Sequence, residues 1–428
     1  MRLTPWRAIC LYIAADGALN VSFRTLQIYC TWYFVKLLSS EGALGSILVA
    51  TSVTTLSLLP IWGVVLDRFK KSYILAVASV VIAFGAILSA WIAFEFERSS
   101  HQLMIGLALG SVLSSAGVAA LVPLGTPLLP EITDREAEIH RGMRLKSAMF
   151  VVNLLLGPTL AGLAIERVGG NAALIVSIIC AIFGLVFSLI FLASFNPSAI
   201  TTNAPQNNSS LCQNLHAGAR RVLKIKAERI IAVASFFANM LFIPFFFLIL
   251  PAKLLWQGYG MLDLAFIELS LGAGVLLASG VVISLLRKCV TEHTLASFSI
   301  TLIGITILMC AFTHELLPLC ALNLLLGMGL TLFNITVNTK RAIAIPAGYR
   351  STMESTMLFL CTAAVPFGFW VSKIVLIKFS PNQVILGGSE VFVVAIVLIV
   401  FSRPLRQMLN HDGGEAPYYL EINRELFE

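Results

Sequence analysis

Ile74-Leu-Ala-Val-Ala-Ser-Val-Val-Ile-Ala-Phe-Gly-Ala-Ile-Leu-Ser-Ala-Trp-Ile-Ala-Phe94 runs for 21 residues without a charged side chain. A helix rises about 1.5 Å per residue, so a block of this length spans the hydrocarbon core of a bilayer, about 30 Å thick. Ala172–Phe195 and the stretch ending in Val391–Phe401 are of the same kind. Working outward from them, apolar segments recur at 8–34, 42–66, 73–94, 102–129, 147–165, 171–195, 229–252, 261–286, 294–312, 316–339, 352–376 and 383–402. In lipid each segment must satisfy its own backbone polar groups. The pattern therefore predicts an all-α polytopic membrane protein of twelve transmembrane helices. Composition agrees: 58% of the 428 residues are apolar and 12% charged, against about 25% charged in a soluble domain.

The longest break, 196–228, is polar and then basic, ending in Arg220-Arg-Val-Leu-Lys-Ile-Lys226. It divides the chain into a six-helix half at 1–195, a linker, a six-helix half at 229–402 and a polar tail at 403–428. Paired halves of this kind are common in transporters, with the solute site between them. With the N-terminus inside, 22 Lys and Arg fall in inner segments and six in outer ones, leaving Arg24 within the first span. This bias predicts that both termini are cytoplasmic. The same distribution explains the net charge of +7 by membrane topology, and no nucleic-acid partner is expected. The N-terminus resembles a signal peptide, but Asp16, Arg24 and the spans that follow mark it as a retained first helix. The tail is expected to be solvated. The eight cysteines are scattered without a CxxC pair, and the histidines lie in or beside loops without metal-ligand spacing. No metal and no cofactor are expected.

Asp16, Asn20, Arg24 and Gln27 follow spacings of four, four and three, which places them on one face of the first span. Charges at membrane depth face a bundle interior or a hydrated cavity. Asp16 and Arg24 are thus candidates for proton coupling, with Asn20 and Gln27 lining the cavity; an ion pair that only holds helices together is the alternative. Asn323, Gly327, Leu330, Asn334, Asn338 and Arg341 repeat the pattern in the tenth span. Asn323, Asn334 and Asn338 are cavity candidates there, against interhelical hydrogen bonding as the plainer role. Ser235 and Asn239 form a shorter pair in the seventh span. Glu268 lies about two turns inside the eighth span, roughly 10 Å deep by helical rise, and is the third proton-coupling candidate. Glu354 is placed to favour a helix N-terminus.

Two motifs are more specific. Gly63-Val-Val-Leu-Asp67-Arg68-Phe-Lys70-Lys71 follows the second span, and Asn153-Leu-Leu-Leu-Gly157-Pro158-Thr-Leu-Ala161-Gly162 lies in the fifth. The first resembles the GxxxDRxGRR-type signature of the major facilitator superfamily, departing from it at Phe69-Lys70-Lys71. A worn copy, Gly280 to Lys288, carries Ser284 where the acid would stand. The resemblance implies a conformational latch at Gly63, Asp67, Arg68, Lys70 and Lys71. The second motif resembles the GPxxGG element of drug/proton antiporters, with Ala161 for one glycine. It assigns Asn153, Gly157, Pro158 and Gly162 to helix packing in an exporter. Leu129-Pro-Glu131, Pro346 to Ser351 and the surroundings of Glu268 are similar to the macrolide- and siderophore-exporter branch. The fourth span lacks the embedded arginine of many such antiporters.

The resemblance implies a proton-coupled exporter of a drug-like compound, siderophore or metallophore. Its partners would be the solute, protons and the lipid bilayer of a bacterial inner membrane, and it would act as a monomer by alternating access. Import of a nutrient by the same fold is the first alternative, and a membrane enzyme or receptor the second. No Ser/His/Asp or HExxH constellation supports an enzyme.

Overall fold

The computed structural model describes residues 4–38, 40–96, 101–133, 135–194, 211–346, 349–411 and 417–427. Long helices stand at all twelve expected places. They are α1 (Pro5–Thr31), α2 (Glu41–Arg68), α3 (Lys71–Glu95), α4 (His101–Ile132), α5 (Glu136–Arg167) and α6 (Gly170–Ser194). A linker helix α7 (Leu211–Lys224) precedes α8 (Lys226–Trp256), α9 (Met261–Leu286), α10 (Glu292–Phe312) and α11 (Leu316–Ala344). The set continues with α12 (Arg350–Thr362, then Ala364–Leu376) and α13 (Pro381–Val400), and the tail adds α14 (Arg403–Leu409) and α15 (Tyr418–Ile422). Among the described residues ten helices are long and apolar enough to cross a membrane. The remaining two long helices are α1, which carries Arg7, Asp16 and Arg24, and α5, whose first turns are rich in charge. No described residue forms a strand.

The chain forms two compact units. The first comprises Met1–Asn207 with Leu254–Leu269, the second Asn208–Lys253 with Ser270–Glu428. In the first unit α1 packs against α4, α5 and α6. Tyr12, Ile13 and Leu19 of α1 join Leu75, Ala78, Leu124, Leu128 and Phe191 in its core. Hydrocarbon solvent offers no hydrophobic drive between helices, so small residues that permit close approach take its place. At Gly85 of α3 a Cβ would lie 2.7 Å from the Gly110 carbonyl oxygen of α4. The opposite face of α3 exposes Tyr73, Val77, Val80, Phe84, Ile87, Trp91 and Phe94, spaced for one helical stripe against lipid. Residues 254–269 are held by polar bonds: Trp256 Nε1 donates to Glu41 at 2.6 Å, and Leu262 N–H to Glu166 Oε1 at 2.9 Å. Through the second of these, a carboxylate satisfies an otherwise open N–H at the start of α9.

In the second unit α9 and α11 cross on reciprocal glycines, Gly274 against the Leu324 carbonyl and Gly327 against that of Leu271. Lys253, buried near the end of α8, donates to the Cys310 carbonyl and, at 2.7 Å, to that of Thr313. An ammonium thus closes the C-terminal end of α10, the negative end of its dipole.

The tail departs from the expectation of a solvated segment. Leu405, Met408 and Leu409 are buried on α14. Tyr419 of α15 is 1% exposed, and its hydroxyl donates to Glu228 Oε1 at 2.8 Å. Burial, reinforced by the Glu228 carboxylate, holds the Tyr419 phenol well above its ordinary value, so it stays a donor. Arg221 Nε donates to the Leu426 carbonyl at 3.0 Å, and Tyr349 Oη to that of Phe427 at 2.8 Å. The sequence hides this because Tyr418, Tyr419 and Phe427 are sparse among polar neighbours, without an apolar run.

Candidate functional site

Helices α1 and α5 lie side by side and run the same way. Ile9 faces Gly142, Tyr12 faces Lys146, Gly17 faces Met149 and Asn153, and Arg24 faces Gly157. The close approach is set by glycine. A Cβ at Gly17 would lie 2.5 Å from Met149 Cε, and one at Gly157 would lie 2.6 Å from Arg24 Cγ. The antiporter-like motif therefore works as a seat for Arg24. Thr25 adds a hydroxyl 3.5 Å from the Gly157 carbonyl, and Pro158 removes one backbone donor from the same turn. Gly162 brings α5 close to the start of α9, where a Cβ would lie 2.9 Å from the Met261 carbonyl oxygen.

Across that seat Arg24 Nη2 meets Glu268 Oε1 at 2.6 Å, with side-chain exposures of 11% and 1%. Arg24 Nη1 also donates to Gln27 Oε1 at 3.3 Å. Glu268 Oε2 takes no hydrogen bond among the described residues. Two of the three proton-coupling candidates are thus one buried pair, joined across 244 positions of sequence. The third, Asp16, is 6% exposed and lies eight residues before Arg24, about 12 Å along the helix. Asn20 sits between them and donates to the Asp16 carbonyl at 2.8 Å. Asn153 is buried beside Gly17, and its Oδ1 takes no hydrogen bond among the described residues.

The candidates of the second unit are dispersed. Asn239 Nδ2 donates to the Cys361 carbonyl at 3.2 Å, and Ser235 bonds the Cys361 side chain. Asn323 is fully buried and donates to Leu319 of its own helix, whereas Asn334 and Asn338 are exposed. Gly327 in the same row serves the crossing with α9. Arg341, the last of that row, is committed to Glu228 by two bonds, Nε to Oε1 at 2.9 Å and Nη2 to Oε2 at 2.8 Å. Glu354 stands 3.6 Å from its third nitrogen. Glu228 was not legible as a site residue, since it sits at the start of a span among loop charges. An acid that close to a span, with an arginine on another polar stripe, is the signal that finds it.

Of the latch residues, the surroundings of Gly63 and the side chains of Asp67 and Arg68 lie outside the described ones. Lys70 is exposed, and Lys71 pairs with Glu131. In the worn copy Arg287 pairs with Glu292 at 3.2 Å. Among the described residues no group of His, Cys, Asp or Glu is arranged to hold a metal ion.

Because the Gly157 seat leaves no room beside Arg24, Gly157→Ala has a definite sign. Alanine in a helix normally gains about 1 kcal/mol over glycine, but overpacking against the stiff base of Arg24 costs about 1–3 kcal/mol. Gly157→Ala is expected to lower the unfolding temperature of the purified protein. Gly387→Ala, where a Cβ meets nothing within 4 Å, is expected to raise it slightly. Equal shifts in the two variants would remove the seat from the account.

The comparisons with known proteins bear on this arrangement as a whole. The family model described as Major Facilitator Superfamily matches residues 10–369. No curated protein sequence matches the chain. Among solved structures, the POT family transporter PepTSo superposes with a TM-score of 0.70 at 13% identity, covering 95% of this chain and 99% of its own. A mutant of the nucleoside transporter NupG gives 0.67 at 13%, covering 91% and 100%. A bacterial homologue of the iron transporter ferroportin, in an inward-facing state, gives 0.69 at 14%, covering 92% and 98%. With the family model running from α1 into α12 and the fold shared over nearly the full length of these carriers, the chain belongs to the Major Facilitator Superfamily and is a transporter, not an enzyme.

Proposed function

We propose that this transporter exports a small amphipathic or metal-chelating solute from the cytoplasm in exchange for protons. The observation that carries the reading is the buried Arg24–Glu268 pair lodged on Gly157 of the exporter-like motif. A buried pair is stable only while both members are charged and matched. Protonating Glu268 leaves the Arg24 charge uncompensated by it, and this changes the energy of any state built on the contact. A proton can shift a conformational balance only through such a difference between states. Asp16, on the same face of α1, supplies a second acid. Asn20 and Gln27 offer polar contacts beside it, and Ser235, Asn239, Asn323, Asn334 and Asn338 offer them in the other half.

In this reading the halves at 1–195 and 229–402 alternate access to the solute as a monomer in a bacterial inner membrane. The linker, the tail and both termini are cytoplasmic, and Gly63 to Lys71 is the latch. The nucleoside, peptide and iron carriers that share the fold are too varied in cargo to choose the solute.

Comparing the medium of a deletion strain with that of its parent identifies the exported compound as the one depleted. Liposomes carrying the purified protein and an imposed pH gradient then test coupling with that compound. Asp16→Asn is expected to lose about a hundredfold or more in the initial rate of gradient-driven accumulation, the scale of a lost proton-transfer group. Full accumulation by Asp16→Asn takes Asp16 out of the proton path.

A further inference from the structure

A second set of charges meets on α1 and α5, about 12 Å from Arg24. Lys146 Nζ donates to Tyr12 Oη at 3.1 Å and stands 5.7 Å from the centre of the Tyr12 ring. Tyr12 and Asp16 are one turn apart on α1, and both are buried. Lys146 therefore reaches the face of α1 that carries Tyr12 and Asp16, and one turn further along α5 Met149 abuts Gly17, the neighbour of Asp16. Its room comes from Gly125 of α4, where a Cβ would collide with the ammonium and lie 2.8 Å from Lys146 Cδ. In sequence this lysine reads as a loop cation; in the structure it lies ten residues inside α5.

The other elements packed on α1 bring little competing charge. Helix α6 has no charged residue, and Cys180 is its titratable group. Those of α4 are His101 and Glu131 at its ends, and those of α3 are Lys71, Tyr73 and Glu95, also at its ends. On α5 itself Arg141 is exposed, Glu138 is bonded by Thr133 and Arg135, Glu166 and Arg167 are exposed at the far end, and the side chains of Glu136, His140 and Arg144 lie outside the described ones. On α1 Arg7 is exposed and Arg24 serves Glu268.

We propose that Lys146 is the counter-charge of Asp16, held in place by Tyr12 and Gly125, and that it sets the pH at which Asp16 takes up and gives back its proton. Lys146 is a positioning residue here, acting through Asp16. Helix α1 then carries two couples of opposite polarity. In one the acid is on α1 and the base on α5; in the other the base is on α1 and the acid on α9. The inference deepens the proton-exchange reading and rests on Asp16 being a proton carrier.

The test of the couple itself needs no solute. Dicyclohexylcarbodiimide modifies carboxyl groups in their protonated form. The full-length protein in liposomes is treated across about pH 4 to 9, the range in which carboxyl groups of perturbed acidity titrate. Peptide mass spectrometry then scores Asp16 modification, either as the acylurea or as an amide to Lys146. Removing an opposite charge that stands within about 4–6 Å of a carboxyl moves its titration by about one unit or more. Lys146→Met is therefore expected to raise the half-modification pH of Asp16 by that amount, and Gly125→Ala to move it the same way. Lys146→Arg should restore it, and the half-modification pH of Glu268 should stay in place throughout. An unmoved Asp16 midpoint in Lys146→Met overturns the inference; if that variant does not fold, Gly125→Ala decides alone. A moved midpoint together with intact gradient-driven transport in Asp16→Asn would leave the couple standing and remove the proton-exchange role.

Discussion

Glu268→Ala is expected to destabilise the protein by about 3–5 kcal/mol, because truncating one partner of a buried pair leaves the other charge without its match. The pair is buried on both sides and short, 2.6 Å, so neither solvent nor salt screens it. Well-packed apolar residues in place of both charges are often neutral or better. The double variant Arg24→Met, Glu268→Leu is thus expected to regain most of the lost stability in thermal unfolding of the detergent-solubilised protein. It is not expected to regain function. Gradient-driven accumulation should be lost in the single and the double variant alike, since neither offers a proton-dependent contact at this place. If the double variant transports normally, the pair is only a fastening between helices.

The second large effect is expected at Glu228→Ala. Its carboxylate is 0% exposed and receives two bonds from Arg341 and one from Tyr419. Removing it strands a buried guanidinium, a loss again of about 3–5 kcal/mol. Glu354 does not replace it, being 3.6 Å away with 44% of its side chain exposed. The same change should release the tail, raising amide hydrogen exchange across 417–427. Tyr419→Phe, which removes one hydrogen bond to a charged group, should cost only about 1.5–3 kcal/mol and free the tail in part. Unchanged exchange in 417–427 for both variants would show that Tyr419 does not anchor it.

The parts of this molecule that sequence made legible follow from the solvent. Lipid penalises open backbone and stray charge, so the apolar blocks mark twelve helices and the spacing of Asp16, Asn20, Arg24 and Gln27 marks a buried face. Partnerships were not legible, because packing decides them. Nothing near Arg24 in sequence points to Glu268, and nothing in the tail points to Glu228. The α11 row shows the limit of periodicity: its spacing puts Asn323, Asn334 and Asn338 on one stripe, yet Asn323 is enclosed beside the α9 crossing and the other two are exposed. Lys146 reads as a loop cation for a related reason. Following Arg141 and Arg144 and standing one residue before an apolar run, it looks like the last charge of a loop unless the opposite helix is known to hold Tyr12 and Asp16.

Proton exchange through Asp16 and Glu268 is tested most directly by watching the lumen pH of liposomes loaded with pyranine. On addition of the compound identified from the deletion strain, its entry through the wild-type protein should drive protons out and make the lumen more alkaline. Glu268→Gln should leave the lumen unchanged. Acidification of the lumen as the compound enters, or an equal alkaline shift in Glu268→Gln, would contradict the account.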